Sequence, residues 1–304
     1  MIFYADVPGL TLLHRGKVRD SFRVSDTSRL IVVTDRISAF DVKIETPISR
    51  KGEVLNRLAA FWFEQTHDII ENHLLKVVDP QAMLVAEAEP IRVEMVVRGY
   101  AAGSLWRGYE KGKRVFSGVQ VPEGLTENGP LSEAIVTPTT KEESDREIDA
   151  AEIVKEGLVD APTYEAMKAA ALALFARGQK VLSEKGIILA DTKYEFGRVD
   201  GKLVLIDEIH TPDSSRFWDK KAYERSPRDV PSIDKEYLRK WLMAESKGGP
   251  IPTHLPAEVA EETHNRYVEL YERVVGKLPP PETPRIDRLI ENLRAAHVAP
   301  EPSE

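Results

Sequence analysis

Residues 187–209 constrain this chain more than any other stretch, because an apolar strand pattern there carries charge at alternate positions. Ile187–Gly197 and Lys202–Ile209 read as two strands joined by Val199-Asp200-Gly201. Strand side chains alternate faces, so Asp191, Lys193 and Glu195 point the same way. Two acids and a base on an apolar segment are expensive to bury without partners, so that face is expected to line a cleft.

The turn decides whether Asp207 joins them. A two-residue turn at Asp200-Gly201 pairs Val199 with Lys202 and Glu195 with Ile206, and sends Asp207 to the opposite face. A three-residue loop pairs Arg198 with Lys202 and places Gly201 where a left-handed backbone is wanted. That register sets Lys193 opposite Asp207, and it is favoured here because it gathers four charged groups of mixed sign. Convergent carboxylates beside a lysine suit Mg²⁺ held through nucleotide phosphates, because this hard ion keeps several waters and takes few protein ligands. Glu195 and Asp207 are the expected metal residues, with Glu208 either facing away or supporting them. A solvated hairpin with ordinary surface ion pairs has the same spacing.

At 304 residues there is room for one large domain or two smaller ones sharing a cleft. The formal charge of -8 argues against a general nucleic-acid binder, which needs a broad positive field. The absence of cysteine removes disulfides, thiolate catalysis and cysteine-ligated metal centres. No basic-then-apolar leader opens the sequence, and no apolar run reaches the roughly 18 residues of a membrane span, so a cytoplasmic address is expected.

The first hundred residues read mainly as strands, with Thr11–Leu13 and Phe22–Val24 flanking the polar loop from His14 to Asp20. A helix is expected over Gly52–Leu75, and a strand over Ile91–Arg98 with Glu94 at its centre. Arg107–Lys141, broken by glycine, proline and threonine, reads as a long and partly ordered excursion, followed by a short helix over Glu142–Ile148. Thr163–Lys185 is a helix with Gly186 at its end, and further helices are expected over Asp234–Glu245, Ala257–Val275 and Arg285–Ala296.

Six short stretches bring these elements into a known order. They are RGKVRD at Arg15–Asp20, TDRISAFD at Thr34–Asp41, VEMVVRGYAAGSLW at Val93–Trp106, TPTTK at Thr137–Lys141, LADTKYEFG at Leu189–Gly197 and DEIHTPDSSRFW at Asp207–Trp218. Together they resemble the SAICAR synthetase (phosphoribosylaminoimidazole-succinocarboxamide synthase) family over roughly residues 10–245. The resemblance implies an α+β, two-lobed fold related to ATP-grasp, with a nucleotide cleft between the lobes. Residues 1–95 would form a β-rich nucleotide-binding lobe. Residues 96–304 would form an α/β substrate and metal lobe with a helical extension. The implied reaction joins L-aspartate to carboxyaminoimidazole ribonucleotide with ATP and Mg²⁺, through an acyl phosphate.

The resemblance also assigns roles. Arg15, Gly16, Lys17 and Arg19 would lie on the ATP phosphates, although the Walker A pattern is missing, and Glu94 would belong to the nucleotide pocket. Arg98 and Ser104 match the substrate-site arginine and serine, while Ser214 and Arg216 match the groups on the ribonucleotide phosphate. Lys141 would close over the site from the excursion, beside Asp191 and Lys193 as catalytic groups. Ser144-Asp145 stands where bacterial relatives often have His-Asp, and Asp145 receives no role. A small-molecule kinase sharing Lys17, Glu94, Asp191, Glu195 and Asp207 is the competing reading; it would need no aspartate. The sequence leaves protein partners and oligomeric state open.

Overall fold

Alternating β-branched and aromatic residues form strands in the first hundred residues, as the period of two predicts. The computed structural model describes residues 1–142, 145–281 and 285–299. It groups the chain into two units. One takes in Met1–Phe63, His73–Glu87 and the chain from Ile233 onward; the other takes in Glu64–Asn72 and Ala88–Ser232.

The first unit is built on an antiparallel sheet in the order Thr11–Arg15, Arg19–Arg23, Ser28–Val33, Ala82–Ala86, Leu74–Asp79. Phe22, Leu30, Val32 and Ala82 pack in one cluster with Ile2, Leu289 and Leu293. The two leucines come from the helix Arg285–Ala295. Their spacing of four puts both on one helical face, which is why this late segment returns to the first sheet. A polar clamp fixes it there. Asp79, 2% exposed, accepts Nε and Nη2 of Arg288 at 2.9 Å each and Nδ2 of Asn292 at 2.7 Å. This grouping of the chain differs from a single boundary between residues 95 and 96.

The second unit is built on a sheet in the order Pro130–Val136, Glu89–Tyr100, Ile187–Val199, Lys202–Ile206. Thr139–Thr140 also pairs with Glu89–Tyr100, and Ser215–Asp219 with Ile187–Val199. The helix Ala161–Glu184 packs on this sheet. Asp160 caps its start, accepting from Thr163 N–H at 2.7 Å, and Gly186 follows its end with φ +69°.

The hairpin register is a correction. Val199 pairs with Lys202 and Glu195 with Ile206, so the turn has two residues, not three. Asp200 (φ +49°) and Gly201 (φ +78°) are both left-handed, the type I′ turn that Asp-Gly favours because its twist matches that of the strands. Turn chemistry therefore overrides the gathering of charge. The strand ends at Ile206, and Asp207 takes a left-handed backbone at φ +67°. Strand alternation stops there, and the Asp207 carboxylate still acts on Lys193.

The excursion is more ordered than its composition suggests. It contains the end of the helix Gly103–Glu110, a hairpin of Val115–Phe116 with Val119–Gln120, and the sheet strand Pro130–Val136. Ala101, Leu105, Tyr109, Phe116 and Val121 form a core cluster of their own beneath it. Among the described residues of 142–148 there is no helix; Glu147 bridges Thr139, and Ser144 lies outside the described residues. The first helix runs only over Lys51–Thr66, because Leu74 already opens a strand. Among the described residues, no helix is long and apolar enough to cross a membrane.

Candidate functional site

Two central strands of the second unit carry the polar groups on one face. Asp191 lies directly opposite Arg98, Lys193 opposite Val96, and Glu195 opposite Glu94. On the reverse face Val93, Met95, Val97, Tyr194 and Phe196 are buried in the core. One strand thus separates a hydrophobic layer from a charged one by alternation alone.

Asp191 is flanked on both sides. Ser215–Asp219 places Arg216 opposite it, and Arg216 Nη1 donates to Asp191 Oδ2. Arg98 Nη1 stands 3.6 Å from the same oxygen. Arg98 is aimed by two hydroxyls, donating from Nε to Thr137 Oγ1 at 2.8 Å and from Nη2 to Ser104 Oγ at 3.1 Å. Burial pushes the Arg98 pKa down, and Asp191 opposes that. Gly103 opens the helix that carries Ser104. Its φ is +57°, and an added Cβ would lie 2.6 Å from Arg216 Nη2, so a guanidinium occupies the place of a side chain. Two cations and one anion, beside the start of an eight-residue helix, leave a net positive pocket suited to a phosphate or carboxylate.

Glu94 and Glu195 face each other across the strands, 3% and 5% exposed, which unaided would be strongly unfavourable. Lys193 Nζ lies between them, 2.5 Å from Glu94 Oε1 and 3.1 Å from Glu195 Oε1, and Lys141 Nζ donates to Glu195 Oε2. The cationic partner of Glu94 is thus Lys193. Burial pushes Glu94 up to about 7, more than the attraction of Lys193 offsets. Glu195 is also buried, but Lys193 and Lys141 hold it down at about 2. Burial pulls Lys193 down, yet Glu195, Glu94 and Asp207 together raise it.

These shifts have opposite consequences for stability. The contribution of Glu94 is fully present below about pH 4.5 and is lost as pH rises through about 7; that of Glu195 is present above about pH 4.5 and lost as pH falls toward about 2. Glu94→Gln keeps an acceptor for Lys193 without the charge. It is expected to melt above the parent protein at about pH 8, and no higher at about pH 4, in paired calorimetric scans. An advantage independent of pH would contradict this.

His210 lies on the apolar side of the strand, against Tyr194. It is 1% exposed, meets Tyr194 Oη at 2.6 Å, and is pushed by burial down to about 3, so it stays neutral.

In the first unit, Gly16 N–H donates to Arg19 O at 2.8 Å, closing the loop between the first two strands. Arg36 was missed in the sequence, although it lies within TDRISAFD. It is 3% exposed, donates to the carbonyls of Gly16 at 3.0 Å and Lys17 at 3.3 Å, and is held by Asp20 at 2.6 Å. Arg15 stacks over Tyr4 and donates to Ala5 O at 3.0 Å, which makes it part of the same framework. Lys17 remains exposed and pairs with Asp41, which sits with Phe40 in a two-residue turn where both backbones are left-handed (φ +61° and +53°). A phenylalanine in that conformation is strained, and such strain concentrates at functional sites.

A model of the SAICAR synthetase family matches residues 12–251. The chain belongs to the SAICAR synthetase family. The phosphoribosylaminoimidazole-succinocarboxamide synthase of Azobacteroides pseudotrichonymphae is 43% identical over 278 residues, spanning 89% of this chain and 86% of that protein. That of Cytophaga hutchinsonii is 41% identical over 301 residues, spanning 96% of this chain and 97% of that protein. Among solved structures, the SAICAR synthase of Saccharomyces cerevisiae, complexed with SAICAR, superposes with a TM-score of 0.80 at 35% identity, over 92% of this chain and 100% of that one. A SAICAR synthetase in complex with ADP superposes with a TM-score of 0.69 at 26% identity, over 88% and 99% of the two chains. As a SAICAR synthetase, this protein is a carbon–nitrogen ligase that joins L-aspartate to carboxyaminoimidazole ribonucleotide using ATP, in purine biosynthesis. That assignment displaces the kinase reading.

Proposed function

We propose that the two charged groups on the strand Ile187–Val199 divide the reaction between them. The observation that carries this is their placement on one face of the strand, away from the apolar core, with Asp191 between two arginines and Lys193 between two carboxylates. Arg98, Ser104, Ser214 and Arg216 bind the anionic groups of the ribonucleotide. Asp191, already engaged by two guanidiniums, keeps them aimed. Lys17 and the side chain of Arg19 bind the ATP phosphates, while Arg36, Arg15 and the bond from Gly16 N–H to Arg19 O hold that loop in shape.

Among the described residues, no three His, Asp or Glu side chains gather as a closed metal cage. That donor set fits Mg²⁺ carried mainly by phosphates and water, which needs only one or two carboxylates. Glu195 and Asp207 would hold it, with Glu94 close by, and it would neutralise charge on the transferring phosphoryl group. Lys193 and Lys141 add fixed positive charge there. A carboxylate oxygen of the ribonucleotide attacks the γ-phosphorus and ADP leaves. The aspartate amine then attacks the acyl carbon, and phosphate leaves with the attacking oxygen. Positioning and charge compensation carry such transfers, so no covalent enzyme intermediate is required. A cytoplasmic address belongs to the same reading.

The ribonucleotide labelled with ¹⁸O in its carboxylate tests the chemistry. One label in the released phosphate supports the acyl phosphate; label-free phosphate excludes it. Lys17→Ala is expected to raise KM for ATP about tenfold or more while leaving KM for the ribonucleotide in place. A shift in the ribonucleotide KM instead would remove Lys17 from the ATP site.

A further inference from the structure

Behind Ser214 runs a row of hydroxyls that the roles above leave unused. Thr192 Oγ1 meets Ser215 Oγ at 2.7 Å, Ser215 Oγ meets Ser214 Oγ at 3.3 Å, and Ser214 Oγ meets Thr211 Oγ1 at 3.3 Å. The row ends at Glu208, whose Oε2 accepts from Thr211 Oγ1. Thr192, Thr211, Ser215 and Glu208 are buried, at 2%, 0%, 6% and 8% exposure. Ser214 is half-buried, and its carbonyl accepts Lys193 N–H at 3.1 Å, which ties the row to the strand bearing the charged groups.

A hydroxyl has one proton, and a carboxylate oxygen only accepts. Thr211 therefore spends its proton on Glu208 and can only accept from Ser214. With Thr211 closed to donation, Ser214 donates toward Thr211, to Oγ1 at 3.3 Å or to the carbonyl at 3.4 Å, and the row is then filled by Ser215 donating to Ser214 and Thr192 to Ser215. The contact of Thr192 with Ser215 has an ordinary length of 2.7 Å, whereas both contacts of Ser214 in the row, at 3.3 Å, are long for hydroxyl pairs. Ser214 is the member whose proton can turn outward to an anion. While it does so, its oxygen still accepts from Ser215 and from Thr211 N–H at 3.3 Å.

We infer that Glu208 is a positioning residue: through Thr211 it sets the proton order of this row, leaving Ser214 as the hydroxyl that turns its proton to a phosphate oxygen of the ribonucleotide. The inference rests on the assignment of Ser214 to that phosphate. In Glu208→Gln, the amide can donate to Thr211, whose own proton is then free to point at Ser214. The order is no longer set, although the shape is nearly unchanged.

The test is steady-state kinetics on the full chain with each substrate varied in turn. Glu208→Gln is expected to raise KM for the ribonucleotide about tenfold, with kcat and the KM values for ATP and aspartate within about twofold, and with the melting temperature held. Thr211→Val cuts the same link from the other side and should show the same pattern; it carries the test if Glu208→Gln does not fold. A kcat loss alone, a rise in all three KM values, or no change in either variant overturns the inference. Ser214→Ala separates the two claims. If it weakens the ribonucleotide while Glu208→Gln does not, the proton order fails and the phosphate assignment stands. If Ser214→Ala leaves that KM unmoved, both fall.

Discussion

Replacing Lys193 by methionine is expected to lower kcat/KM by about three orders of magnitude, most of it in kcat. Methionine fills a similar volume without the charge. In the parent protein the ammonium group touches both Glu94 and Glu195, which the strand register brings face to face in a buried site. Without it, two carboxylates share that site, and one of them takes up a proton at neutral pH. Glu94 is the one expected to do so, because burial already holds it at about 7 while Lys141 still anchors Glu195. The variant then presents a neutral acid and a single anion with no cation between them, whereas the parent holds Glu94 near its titration midpoint beside Lys193 at neutral pH. Lys193→Arg restores charge but not the compact geometry that fits between two carboxylates, so it should melt close to the parent yet recover less than about a tenth of the activity. A fall of less than about tenfold in the methionine variant, with the ATP KM held, would take Lys193 out of the chemistry.

The second large effect concerns stability. Asp79→Ala is expected to cost about 3–5 kcal/mol, because it strips a bidentate partner from a guanidinium only a tenth exposed. In a protein of this size that is a fall of about ten degrees in the melting temperature, and urea titration should show it as a lower midpoint. Activity per folded molecule should be retained, since Asp79 pairs with Arg288 and Asn292 and not with the charged strand. Asp79→Asn keeps acceptor capacity and should lose less. An alanine variant melting within about two degrees of the parent would mean that the apolar contacts of Leu289, Leu293 and their neighbours hold the helix without the clamp.

What the sequence disclosed was local, and what it withheld was pairing. Alternation placed Asp191, Lys193 and Glu195 on one face without any knowledge of neighbours. That Glu94 stands opposite Glu195, and Arg98 opposite Asp191, depends on a strand nearly a hundred residues earlier, whose register no local pattern states. The Asp200-Gly201 turn is legible in the sequence: both residues tolerate a left-handed backbone, and the two-residue loop they favour outweighs the gathering of charge. The left-handed Asp207 that then returns its carboxylate toward Lys193 has no propensity signal. Arg36 shows the same limit, because its task lies in donating to carbonyls some twenty residues away. The ordered excursion was missed for another reason: glycine and proline dominate its texture, while the five apolar residues that give it a core are widely spaced.

The clasp between Asp79 and Arg288 also bears on how this protein is made. A ribosome releases residues 88–232 as one uninterrupted stretch, long before Leu289 and Leu293 emerge. The unit that holds these strands is therefore completed only after residues 88–232 have been made, when the helix bearing Leu289 and Leu293 follows them. Chain growth at several residues per second leaves the apolar surface that this helix covers open for many seconds, which gives these strands a particular need of a chaperone.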